Sequence, residues 1–266
     1  MIYDDDPVAG RTDIPDGVRL GPAAEPEGCS GKANAMMVGM KTAEVDRIIW
    51  TDDDFHHGPD WLATLTADHE RHGPVSEVSY FFGRDPLAVL LPMLASAGTL
   101  GIYLLNQIWG GAVAFKRDEI ESTFFDELRR TISDDALLME HLQVTTARLT
   151  YLVPVGGTVR KTVERILRWT KITWRHDPVA VAGIGLALLL ALAGAVLFPL
   201  HAVVVLTVFH LAVKEVLDVR RWRALLAYPA VFVFVPLIPY ALGRRTLVSG
   251  GRRYRWRSKF DVKIIE

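Results

Sequence analysis

Residues 179–198 run for twenty positions without a charge, bracketed by Pro178 and Pro199. That length matches the hydrocarbon thickness of a bilayer crossed by a helix. Residues 202–213 form a second apolar run, broken only by Thr207 and His210, and residues 224–242 a third, uncharged but interrupted by Pro229, Pro236 and Pro239. A chain so patterned does not fold as one soluble core. Its C-terminal third is expected in the membrane, with a soluble catalytic or binding part before it. Basic residues before Val179, at Arg220-Arg221-Arg223 and after Leu242 argue for the cytoplasmic side. Two spans, about 179–198 and 200–219, satisfy the first two groups. The third run then reads as re-entrant or interfacial, which its prolines tolerate, with three full spans as the alternative.

The 266 residues hold one large or two small domains. Lys and Arg number 30 against 31 Asp and Glu, so composition lends no support to a nucleic-acid partner. Charge is unevenly spread: acidic over the first 60 positions, basic near 160–175 and basic again at the end. The acidic, polar N-terminus does not resemble a signal peptide. The one cysteine, Cys29, cannot form an intramolecular disulfide and reads as a small packing residue or surface thiol.

The soluble part centres on Ile48-Ile49-Trp50-Thr51-Asp52-Asp53-Asp54-Phe55. An apolar β-branched run ending in carboxylates is the pattern of a buried parallel strand whose carboxyl end opens into a crevice. Adjacent carboxylates repel unless a cation lies among them, and oxygen-only ligands suit Mg²⁺ or Mn²⁺ shared with substrate phosphates. A solvated acidic turn is the plainer alternative. His56 and His57 adjoin the carboxylates as further candidate ligands, or as solvated loop residues.

Around this strand the expected order is as follows. Ile2-Tyr3 precedes Asp4-Asp5-Asp6 either as a disordered acidic end or as the tail of a strand, and residues 8–31 read as loop. A helix is expected over about 31–44 with Met36, Met37 and Met40 on its apolar side, and Lys32 near its start where it could contact a phosphate. Residues 59–72 suit a helix with Trp61, Leu62 and Leu65 inward, and 75–82 a strand. The uncharged stretch 86–105, with its Pro and Gly, reads as a buried helix or an interfacial segment. Gly110-Gly111 leads into a strand, Ser133-Asp134-Asp135 has the form of a helix N-terminus, and 149–153 is another strand. Capping accounts for Ser133 or Asp134 but does not need both aspartates. Residues 159–175 form a basic amphipathic helix with Arg165, Arg168, Trp169 and Trp174, suited to interfacial anchoring or to diphosphate binding.

In this order the pieces resemble the inverting family 2 glycosyltransferases, most closely the ceramide glucosyltransferase-like branch. The residues that carry the resemblance are Asp6, Gly31-Lys32-Ala33-Asn34, Asp52-Asp53-Asp54, Gly110-Gly111 through Arg117-Asp118, Asp134-Asp135 and Arg165-Ile166-Leu167-Arg168-Trp169, followed by apolar segments and a basic Gly-Arg-Arg-Tyr-Arg-Trp-Arg tail. The resemblance implies an α/β, GT-A (Rossmann-like) domain over 1–158 and an interface helix over 159–177. A membrane region over 178–243 and a basic cytoplasmic tail over 244–266 complete the expected organisation. It further implies a membrane-bound, metal-dependent enzyme with a cytoplasmic catalytic domain, moving a sugar from a nucleotide-sugar donor to a lipid hydroxyl.

By the same resemblance Asp6 contacts the nucleotide, Asp52 and Asp54 hold the metal, and Asp135 is the general base. Lys32 and Arg168 bind the donor, while Trp169 and Arg165 serve the acceptor side. Family members begin with a strand and loop that bind the nucleotide base, preceded in this branch by an anchor. The chain starts at or just before Asp6, so an N-terminally incomplete domain is expected, and with it a second reading: a membrane scaffold that keeps the fold without the activity.

Overall fold

Along Arg47–Thr51 the residues alternate between half-buried and buried, with Ile48 and Trp50 inside and Thr51 exposed. Alternation of this kind belongs to a strand with two unlike faces. The computed structural model describes residues 2–4, 16–52, 57–82, 107–108, 111–154, 159–217 and 227–265. Asp6, Asp53, Asp54, His56, Gly110, the stretch 86–105 and Arg220-Arg221-Arg223 lie outside the described residues.

In chain order, β1 (Ile2–Asp4) pairs in parallel with β2 (Leu20–Pro22). The strand alternative for Ile2-Tyr3 is therefore the one adopted, and part of the expected loop 8–31 is a strand. Helix α1 (Gly31–Thr42), β3 (Arg47–Thr51), α2 (Trp61–His72), β4 (Val75–Phe82) and β5 (Ala112–Lys116) follow, then α3 (Phe124–Leu128), α4 (Asp134–His141) and β6 (Thr145–Pro154). The apolar half begins with α5 (Val159–His176) and continues with α6 (Pro178–Leu197), α7 (Pro199–Leu217) and α8 (Ala227–Gly243). The chain closes in three strands, β7 (Thr246–Ser249), β8 (Arg252–Ser258) and β9 (Asp261–Ile264).

The central sheet has the order β3-β5-β4-β6. Its β4–β6 pair is parallel, but β5 runs antiparallel to both β3 and β4. The expectation of a parallel strand at 48–51 is corrected here: the neighbour of β3 is antiparallel. An apolar run cannot distinguish the two cases, because burial on both faces depends on what covers the sheet. On one face Ile48 and Trp50 join the main core with Met37 and Met40 of α1, Phe115, Phe124 and Leu137. On the other, Ile49 packs against Leu65, Val75 and Ala114. Trp50 meets the edge of Phe115 at 5.1 Å between ring centroids. Cys29 lies in the main core, and burial pushes its thiol up to about 11, the inert state of a packing residue. Leu62 corrects a second expectation, since it is 56% exposed while Leu65 takes the inward position on α2.

Arg117 explains why α1 and β5 keep their register. Its guanidinium donates to the carbonyls of Met40 and Ala43, each at 2.8 Å, and so satisfies the end of α1.

Helix α6 is a candidate membrane-spanning helix by length and composition, with a mean hydropathy of 2.5. Leu186, Leu190 and Val196 on it, and Leu200, Val204 and Val208 on α7, point outward. Helix α8 carries Pro236 and Pro239 within it and packs on α5 and α6. Its end is capped from α5: Lys171 donates to the Arg244 carbonyl. Burial and the nearby Arg175 and Arg244 push Lys171 down to about 8.

Phe115 is fully buried between β3 and α3. Phe115→Ala is expected to cost about 3–5 kcal/mol of stability, read as a lowered denaturation midpoint of the detergent-solubilised chain.

Candidate active site

Three element ends converge at the carboxyl end of β3. Ser30 caps α1, its hydroxyl accepting from the Ala33 N–H at 3.1 Å, and its own N–H donates to the Thr131 carbonyl at 3.2 Å. That bond ties the start of α1 to the segment leading into α4. Ser133 caps α4 in the same manner, accepting from Ala136 N–H at 3.3 Å. With the cap filled by serine, Asp134 and Asp135 are both left for other work. Asp52 continues the ladder past β3, its N–H donating to the Gly111 carbonyl at 3.0 Å.

Lys32, on the first turn of α1, reaches into this junction. Its Nζ lies 2.6 Å from Asp52 Oδ1, 3.0 Å from Asp134 Oδ2 and 3.6 Å from Asp135 Oδ1. Burial alone would lower its pKa, but the surrounding Asp134, Asp135 and Asp52 outweigh that and hold it well above the ordinary lysine value. Asp134 is deeply buried, with 6% of its side chain exposed against 38% for Asp135. Burial, then the neighbouring Asp135 charge, pushes Asp134 well above the carboxylate range despite Lys32. Asp135 goes the other way. Burial works to raise it, yet Lys32, a hydrogen bond from Asp134 and Arg168 together bring it below its ordinary value. The adjacent carboxyls are thus driven in opposite directions, Asp134 upward and Asp135 downward, and Asp135 is the more exposed of the two.

Arg168 closes the site from α5. It is half-buried and within electrostatic reach of Asp135, Asp52 and Asp134. Burial and the like charge of Arg165 lower its pKa, though a guanidinium stays charged at any working pH. One of its arms donates to Ser249 Oγ at 3.3 Å. Trp169 is half-buried beside it on α5.

The structure therefore brings Lys32, Asp52, Asp135 and Arg168 together, with Arg165 adjacent. Asp6 and Asp54 lie outside the described residues. His57 is engaged elsewhere: Nε2 hydrogen-bonds Thr51 Oγ1 at 2.8 Å and the ring stacks on Trp61 at 3.8 Å. Two contributors escaped the sequence reading. Asp134 was legible in part, because a second aspartate was surplus to capping. Ser249, 81 residues beyond Arg168, carried no local signal.

Asp52 offers carboxylate oxygen, the donor chemistry that Mg²⁺ and Mn²⁺ take. Lys32 already places a cation against that carboxylate. Among the described residues no group of three or more His, Cys, Asp or Glu is disposed to hold a metal.

A family model described as "Glycosyl transferase family 21" matches residues 15–249. That span takes in Lys32, Asp52, Asp134, Asp135, Arg165, Arg168 and Trp169, and the mixed α/β domain fits a GT-A-like glycosyltransferase. No curated protein matches the chain.

The electrostatics of the junction carry a pH signature. A depressed Asp135 contributes stability above the unfolded carboxylate pKa and loses it as pH falls through its lower folded value. An elevated Lys32 contributes below the unfolded lysine pKa and loses it as pH rises through its higher folded value. Lys32→Gln is therefore expected to lower the melting midpoint at neutral pH. Its deficit against the parent chain should shrink on acidification below the ordinary carboxylate range, as the depressed Asp135 protonates and no longer needs a cation. Thermal melts across pH provide the measurement.

Proposed function

This chain belongs to glycosyl transferase family 21, and we propose that it is a membrane-bound inverting hexosyltransferase moving a sugar from a nucleotide-sugar donor to the hydroxyl of a lipid. The observation that carries this reading is the clustering of a part-exposed Asp135 with Lys32, 3.6 Å away, and with Arg168 within electrostatic reach.

A glycosyl donor leaves as a nucleoside diphosphate, so negative charge grows on the phosphate oxygen as the bond to the anomeric carbon breaks. Arg168 and Lys32 supply fixed positive charge for it. Asp52 and Asp54 would hold Mg²⁺ or Mn²⁺, which supplies further charge neutralisation at the diphosphate. Asp6 contacts the nucleotide.

The acceptor hydroxyl gives its proton to Asp135, and its oxygen attacks the anomeric carbon opposite the leaving group. The electron pair of the broken bond departs with the diphosphate, and the anomeric configuration inverts. In the free protein Asp135 is a weak base because Lys32 and Arg168 stabilise its charge. A bound diphosphate competes for those cations, so donor binding strengthens the base at the moment it is required. The raised pKa of Asp134 favours its uncharged form, which keeps a second negative charge out of the site, where it would repel the donor. Trp169, with Arg165 beside it, walls the acceptor side.

A lipid acceptor accords with the outward apolar faces of α6 and α7. The basic helix α5, which enters α6 through Asp177, suits the headgroup layer and a cytoplasmic catalytic domain.

Asp135→Asn is expected to retain nucleotide-sugar affinity within about threefold while transfer falls about 10²–10⁴-fold. Retained transfer would remove Asp135 as the base. Asp54→Ala is expected to abolish the metal-dependent part of donor affinity, measured by titration with and without Mg²⁺. A chain that inserts normally but binds no nucleotide sugar would instead be a scaffold.

A further inference from the structure

The last three strands form their own small sheet, order β7-β8-β9. Gly250 and Gly251 make the β7–β8 turn with φ of 56° and 76°, the left-handed pair that a two-residue hairpin requires. Along β8, Tyr254 and Trp256 are each 1% exposed, while Arg253, Arg255 and Arg257 alternate outward. A sequence that basic reads as a solvated tail, yet its inner face holds two of the most buried aromatic rings in the chain.

Those rings pack on α5 and on the segment that leads into α4. With Leu247 and Val262 they enclose Ile132, just ahead of the α4 acid pair, and rest against Ile172, one turn beyond Arg168 on α5. Polar contacts follow the same division. Lys259 pairs with Glu140 of α4, and Arg175 of α5 donates to the Trp256 carbonyl at 3.2 Å. From the end of β7, Ser249 reaches the guanidinium of Arg168. Residues beyond 249 lie past the span matched by the family model.

The partner chosen for Arg168 matters. A carboxylate there would hold the guanidinium more firmly and also cancel its charge. A hydroxyl fixes one arm and leaves the full positive charge available. We propose that Ser249 is a positioning residue, anchored by the C-terminal sheet, that orients Arg168 so its free arms meet the donor diphosphate. This rests on the reading of Arg168 as the diphosphate ligand. The sheet then joins the donor site, and the segment after the last apolar helix sets how well the leaving group is held.

The test uses the full-length, detergent-solubilised chain, with UDP and GDP in the presence of Mg²⁺ as probes. Ser249→Ala is expected to weaken affinity for whichever nucleoside diphosphate binds by about fivefold, the effect of losing one hydrogen bond to a charged group. Ser249→Thr, which keeps the hydroxyl, should stay within about twofold of the parent. Arg168→Lys should weaken binding by itself, and adding Ser249→Ala to it should cost little more, because both changes act on one contact. Ser249→Asp separates positioning from mere anchoring: a stronger tie with cancelled charge should bind no better than Ser249→Ala. Parent-like affinity in Ser249→Ala or Ser249→Asp, or additive losses in the double variant, overturns the proposal while Arg168→Lys still reports on the donor site. Parent-like affinity in Arg168→Lys overturns the donor reading of Arg168 and the proposal with it.

Discussion

One ammonium group holds the ends of α1, β3 and α4 together. Lys32 stands among Asp52, at the end of β3, and Asp134 and Asp135, on the first turn of α4. Without it the end of β3 and the start of α4 would bring carboxylates into one half-buried space, where their repulsion is far stronger than in water. With it, α1, β3 and α4 share an ionic junction, reinforced by the Ser30 to Thr131 backbone bond. A buried charge cluster is weak support for stability as such, because its desolvation offsets much of its attraction. Its stronger consequence is chemical. The junction pushes the two carboxyls of α4 in opposite directions, the buried Asp134 up and the more accessible Asp135 down.

The same logic links this junction to the apolar half. Helix α5 brings Arg168 to the carboxylates, while Lys171, on the next turn, satisfies the end of α8. It is therefore shared between the site and the apolar helices, so the packing of those helices bears on where Arg168 stands. The C-terminal sheet adds a third constraint by packing on Ile132 and Ile172 together. Glycosyl transfer needs cations and a base held at a fixed separation across a sugar, and a brace spanning both helices resists their drifting apart.

Much of this was legible beforehand. Helix α1, strand β4 and the cap at Ser133 follow from local signals: periodicity, β-branched runs, a serine before acidic residues. Helices α5, α6 and α7 came from charge and apolar length. What was misread shows where local signals end. Ile48-Ile49-Trp50 suggested a parallel strand, but its partner β5 is more than 60 residues away and antiparallel. Leu62 matched a helical stripe, yet it stays exposed while Leu65 and Trp61 pack against the underside of the sheet. The basic closing stretch gave no sign that its alternate residues would be buried.

By itself the sequence supplied the carboxylates, lysine and arginine that the structure gathers at one junction, and their order along the chain. It also determined which third of the chain carries the apolar helices, since an uncharged run of twenty residues has few other uses. Only the tertiary structure decided that Asp134 is pushed up and Asp135 down, for the two are identical side chains in adjacent positions. Their difference lies in burial, far deeper for Asp134, and in Arg168, which lowers Asp135. It also decided that Ser249 belongs beside Arg168. Contacts between residues far apart in the chain are set by packing, and packing leaves no mark on either residue's own neighbours in sequence.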